Sequence, residues 1–190
     1  MSATLAPQGF VPVYHPSGLS MPVSLYTPTT TNGPSAAIYK GDPVKLTGNT
    51  DVINISTGSD AIIGVFAGCE YTDATGKPTE SPYWPGTTTG ATNIKFYVYD
   101  DPFTVFEVQA AGSLAITSIG DSADATIVAG NTNTGTTASR LSTTLSGAAT
   151  VKQWRILGLG QEIDNAWGDA YTIVRVKIGQ SQLISEPNAI

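Results

Sequence analysis

Four groups of side chains in this 190-residue chain are of types that can do chemistry. The first lies in "YVYDDPFTVFEVQ" (97–109), where Asp100 and Asp101 stand side by side between two apolar runs. Paired carboxylates can share general acid and base work, but neighbours on a strand point to opposite faces. Pro102 holds Asp101 extended and opens a turn, so the pair reads as a solvated corner between two strands. The second is His15, the only histidine, in "VYHPSG". A Ser-His-Asp relay needs it held against a nucleophile, and no Gly-x-Ser-x-Gly elbow accompanies it. The third is Cys69, the only cysteine, in the apolar run "AIIGVFAGC". Without a basic neighbour it reads as a buried small hydrophobe. One histidine and one cysteine also exclude the familiar structural zinc sites.

The fourth group is "GLGQEIDNAWGD", where Glu162, Asp164, Asn165 and Asp169 are hard oxygen donors of the kind calcium accepts. Their spacing fits no standard calcium loop, and a polar turn between the last two strands is the plainer reading. The Gly-x-Gly there lacks the third glycine at the motif's spacing, where Ile163 stands, and has no strand-turn-helix unit around it, which argues against a dinucleotide site. No catalytic, cofactor-binding or metal site is expected from these residues.

The elements that would position them follow from composition. Only 13% of residues are charged and 41% are hydrophobic, which is not the balance of a disordered chain. A Thr- and Gly-rich texture points to short strands joined by many turns. A domain of this size buries roughly 70% of its unfolded surface and needs no disulfide. The net charge of −6 and nine scattered cations argue against direct nucleic-acid binding, which needs a clustered cationic surface. No apolar stretch is long enough for a transmembrane helix. The start "MSATLAPQGF" lacks the basic segment and apolar core of a signal peptide, so synthesis and use without export are expected.

Prolines at 7, 12, 16, 22, 28 and 34 forbid a helix over residues 1–35 and leave few consecutive donors for a central strand. Phe10, Val11, Val13, Tyr14, Leu19, Val23, Leu25 and Tyr26 are interleaved with them, so the segment reads as an extended arm with apolar anchors. Fully stretched it would reach on the order of 100 Å. It must lie on a partner or, as an edge cover, on its own domain. Residues 36–190 read as one all-β domain, a β-sandwich or barrel-like fold with long loops. Strands are expected in "AIYKGDPVKL", "TDVINIS", "AIIGVFAGCEY", "NIKFYVY", "FTVFEVQ", "LAITS", "ATIVA", "VKQWRILGL" and "YTIVRVKI". In the last, Thr172, Val174, Val176 and Ile178 share a face. Residues 72–92 read as a long loop, and 130–150 as another long polar loop or an irregular hairpin. Tyr83 and Trp84, between prolines, are either a contact tip or a lid folded back on the core.

The order of these pieces resembles a family of tailed-bacteriophage head proteins, the structural or cement (decoration) proteins. "PQGFVPVYHPSG", "GDPVKLTG", "IIGVFAGCEY", "FYVYDDPFTVFEVQ", "VAGNTNTG" and "RILGLGQEIDNAWGDAYTIVRVKIGQSQL" carry the resemblance, over roughly residues 8 to 183. It implies a non-enzymatic, cofactor-free all-β protein, made in the host cytoplasm and placed on the outer capsid surface of the virion. Its implied partners are the major capsid protein and copies of itself, as a dimer or trimer, with no nucleic acid and no membrane. Phe10, Val11, Val13, Tyr14 and Tyr26 of the arm are the expected contacts, with Tyr83 and Trp84 as further candidates. The alternative from the residues alone is a glycan-binding or adhesive β-module, in which exposed Trp and Tyr would stack on sugar rings.

Overall fold

The computed structural model describes residues 2–18, 20–28, 33–47, 52–86, 90–147 and 150–184, with the backbone alone for 52–54. Leu19 and residues 29–32 of the arm therefore lie outside the described residues. The described chain is all-β, with one short 3-10 turn. Its strands are β1 (Val11–Tyr14), β2 (Ser24–Tyr26), β3 (Ile38–Tyr39), β4 (Pro43–Thr47), β5 (Val52–Ile55), β6 (Gly64–Thr72), β7 (Pro78–Ser81) and β8 (Tyr83–Trp84). There follow β9 (Thr92–Tyr99), β10 (Val105–Gln109), β11 (Ser122–Ala123), β12 (Ala125–Thr126), β13 (Arg140–Leu141), β14 (Trp154–Leu159) and β15 (Ile173–Ile178).

Two antiparallel sheets dominate. Sheet A runs β1-β10-β15-β14-β11, and sheet B runs β2-β9-β6-β4-β5, with β7 also paired to β6. Two small ribbons, β3-β8 and β12-β13, complete the fold. The alternation in "TIVRVKI" does what its period predicts: Thr172, Val174, Val176 and Ile178 are buried, while Arg175 and Lys177 turn outward. Two expectations fail locally. "LAITS" forms the 3-10 turn Ile116–Ser118 instead of a strand. Residues 72–92 are not one irregular loop, because β7 pairs with Cys69–Thr72 and β8 pairs with β3.

Each sheet has its own apolar core. One gathers Phe10, Phe106, Trp154, Ile156 and Val176; the other gathers Ile38, Phe66, Trp84, Phe96 and Val98. Strand β6 serves both, since Val65 enters the first and its neighbour Phe66 the second.

The arm joins this framework through β1, an edge strand on β10, and β2, an edge strand on β9. Its docking depends on two glycines. Gly9 and Gly41 both have positive φ (75° and 91°), and a Cβ on Gly9 would lie 2.7 Å from the Gly41 carbonyl oxygen. Their close approach lets the Phe10 N–H donate to Gly41 O at 3.0 Å. The Phe10 ring then stacks on Trp154 with centroids 4.1 Å apart. Burying such a ring contributes about 1.5–3 kcal/mol.

Candidate interaction face

The residues singled out for chemistry separate once folded. Asp100 accepts hydrogen bonds from Ser24 Oγ (2.8 Å) and Tyr26 Oη (2.7 Å), clasping β2 onto the end of β9. Asp101 accepts from the Phe103 N–H at 2.8 Å, closing the turn that Pro102 opens. Its other oxygen lies 3.1 Å from His15 Nε2, and Ser17 Oγ lies 2.6 Å from His15 Nδ1. Serine, histidine and aspartate thus come into line, a juxtaposition not visible in the residue order. The two N–H groups nearest Ser17 are already used: its own donates to His15 Nδ1 and that of Gly18 to the His15 carbonyl. Neither is free to stabilise an oxyanion, so the line ties the arm to the β9–β10 corner.

Cys69 is buried, and burial pushes its thiol up to about 12. Asn165 is occupied by main-chain groups of Gly160 and Ile173. Asp169 accepts from Ser2 Oγ and the Ala166 N–H, which holds its carboxyl below the usual range. Among the described residues no group of three His, Cys, Asp or Glu side chains is placed to hold a metal ion.

The expected partner contacts divide. Phe10 and Trp84 are fully buried and have no surface to offer. Trp84 enters the second core because its indole N–H reaches the Pro34 carbonyl at 2.8 Å and its ring meets the edges of Tyr71 and Phe96. Tyr83 is half-buried and stacks on Tyr39, with centroids 5.5 Å apart. Of the two readings of the Tyr83–Trp84 stretch, it is the lid folded onto the core. Val13 and Tyr26 are half-buried. Val11 and Tyr14 remain 40% and 44% exposed, on the outer side of sheet A.

That outer face is the most distinctive surface of the described molecule. Register places Tyr14, Val105, Lys177, Arg155 and Ser122 in one row across five strands, and Val11, Glu107, Arg175 and Gly158 in the next. Arg175 donates to Glu107 at 2.9 Å and lies over the Tyr14 ring, 5.5 Å from its centroid. Leu157, two residues after Arg155, faces outward and is exposed, and a bulge between Ile156 and Gly158 leaves it without a ladder partner. Ile119, next to Gly120 at the far edge, is also exposed. The strand positions of this face carry three cations, Arg155, Arg175 and Lys177, and one carboxylate, Glu107; Glu162 joins Glu107 and Val11 at the end of the face away from Arg155 and Lys177. Apolar side chains flank them, on a chain of net charge −6. Arg is enriched at protein interfaces, as are aromatic residues.

The chain matches no family model, curated protein or solved structure. Of the residues on this face, the sequence reading singled out Val11 and Tyr14 but not Arg155, Leu157 or Lys177. The alternation of "VRVKI" marks Arg175 and Lys177 as outward; only the sheet register brings Arg155 beside them.

Proposed function

We propose that this protein is a cement (decoration) protein of a tailed-bacteriophage head, bound to the outer surface of the assembled shell and bridging neighbouring major capsid subunits. The observation that carries the reading is the outer face of sheet A, partly exposed, apolar at its flanks and cationic at its centre, and continuous with the arm through Val11 and Tyr14. The order of sequence motifs supports the same reading. The mechanism is differential binding. A composite site made by neighbouring subunits exists only in the assembled, expanded shell, and a ligand of that state shifts the balance by its differential affinity alone. At a hundredfold excess over Kd the gain is about 2.7 kcal/mol per site, and a shell has many sites. Moderate contacts by each copy are enough.

Co-sedimentation with shells stripped of this protein, expanded and unexpanded, tests the reading. Saturable binding to expanded shells is expected. Val11→Glu with Tyr14→Ala is expected to weaken it, since both residues are exposed and leave the core untouched. Deleting residues 1–35 is the less informative variant, because it also removes Phe10 from the core. Absence of binding to either shell sinks the proposal.

A second reading, the glycan-binding module, loses Trp84 to the core but keeps one observation. A groove of about 550 Å³ between β6, β7 and β9 is lined by Lys40, Glu70, Glu80, Ser81 and Tyr97, and that volume lies in the range of small-ligand sites. Binding to a glycan array without affinity for shells decides in its favour.

A further inference from the structure

Arg155 and Lys177 are direct cross-strand neighbours in the β14–β15 ladder. Like charges in that relation weaken a sheet. Four other cations are paired within the chain: Lys45 with Asp60, Lys95 with Glu70, Lys152 with Asp124 and Arg175 with Glu107. Lys40 and Arg140 have no such pair among the described residues, but each stands opposite a threonine and not a second cation. Among the described residues neither Arg155 nor Lys177 has a carboxylate within ion-pair distance. Asp121, whose carbonyl accepts from the Ile156 N–H, pairs with neither. The sheet thus holds two unneutralised cations side by side at its centre, at a cost to its own stability.

Their geometry suits one kind of occupant. Arg155 Nε donates to the Gly120 carbonyl at 3.1 Å, which fixes the plane of the guanidinium and leaves its terminal amino groups for another acceptor. A fixed guanidinium beside an ammonium matches a carboxylate, with the flat fork of arginine supplying direction and the lysine charge. Leu157 and Ile119, both exposed beside the pair, would shed water when covered and strengthen the contact. A phosphate backbone fits less well, because it rewards a long run of cations and this chain has a net charge of −6.

We propose that Arg155 and Lys177 form a carboxylate-recognition site, through which sheet A docks onto an acidic surface of a partner protein. On the cement reading, which this inference deepens and on which its biological setting rests, that surface belongs to the assembled shell. Because the net charges of two acidic partners repel at long range, the attraction is local. Added salt should therefore weaken docking through this pair without abolishing the apolar part of the contact.

The test uses the full chain and the pair of substitutions Arg155→Glu and Lys177→Glu. Arg155→Gln with Lys177→Gln serves as the milder version, and Lys77→Glu with Lys95→Glu as a control of equal charge change. Thermal unfolding first establishes that each is folded. Binding is then read on expanded shells and, independently, on immobilised poly-glutamate and single-stranded DNA at low salt. Loss of shell affinity by about thirtyfold or more in both Arg155/Lys177 variants, with the control unchanged and the wild type retained by poly-glutamate, is the expected result. Undiminished shell binding by the variants overturns the inference and leaves the cement reading standing. Retention on poly-glutamate that depends on the pair, with no shell binding by the wild type, keeps the carboxylate site and removes the shell as its partner. Stronger retention on DNA than on poly-glutamate overturns the assignment to carboxylates.

Discussion

The arm and the β7–β8 stretch each carry an aromatic ring from a proline-flanked segment into a core, yet they do so differently. Trp84 is tied on every side: its N–H is bonded to Pro34, its ring is wedged between Tyr71 and Phe96, and its neighbour Tyr83 is stacked on Tyr39. Phe10 is equally buried, but its strand is an edge, and Val11 and Tyr14 face outward beside it. One segment only anchors. The other anchors through one residue and displays the next, so in the arm a buried anchor and an exposed face share a strand.

The two meet at a single turn. In "KGDP", Gly41 receives the Phe10 N–H, while the Asp42 carboxylate accepts the N–H of Tyr39, the residue stacked on Tyr83. Asp42 also accepts from Thr137 Oγ1 and Ser139 Oγ. Burial raises its pKa despite these three hydrogen bonds.

The comparison can be broken hardest at the rings. Trp84→Ala is expected to cost about 3–5 kcal/mol in urea unfolding, at the upper end because Pro34 O also loses its donor. Whatever protein remains folded should bind shells as before. Phe10→Ala is expected to cost a similar or slightly smaller amount, but it should also weaken shell binding, since β1 loses its anchor. Equal binding by the two variants would erase the distinction between the segments.

Asp42→Ala loosens both segments together and strands three donors, a loss of about 2–3 kcal/mol. This contribution has a sign. A carboxyl whose folded pKa is raised stabilises most below the ordinary carboxylate range, near pH 4, and loses that share as the pH rises through its folded value. The stability difference between wild type and Asp42→Ala should therefore shrink as pH rises above about 4. Unfolding curves collected between about pH 3 and 7 read it directly.

The smallest expected effect is the sharpest. Lys177→Glu turns a like-charge cross-strand pair into an opposite one, and the free protein should gain about 0.2–1 kcal/mol. The same substitution should weaken shell binding. A variant that gains stability and keeps its binding would show that the Arg155–Lys177 pair has no partner.

Much of the fold was legible because it is local. Period-two alternation in "NIKFYVY" and "YTIVRVKI" assigned inward and outward sides, and Pro102 marked the corner after Asp101. The arm was legible as extended and apolar, but whether Phe10 would meet a partner or Trp154 was not. Flanking prolines left Trp84 open as a contact tip or a lid; the carbonyl that receives its N–H and decides for the lid lies 50 residues earlier. In "LAITS", a strand-like composition yielded to the turn that leads into Gly120.

The order of residues is enough to say which stretches could be strands, which side of an alternating strand is apolar, that no helix fits the arm, and that cations are few. All of these are properties of neighbouring residues, set by sterics and by the period of the chain. Which strands become neighbours was settled by the closing of the sheets. That choice put Arg155 beside Lys177 across 22 residues of chain, drew Asp100 and Asp101 to different partners, and let β6 serve two cores. Register is chosen by the free energy of whole sheets closing over buried rings, and no single segment carries that quantity.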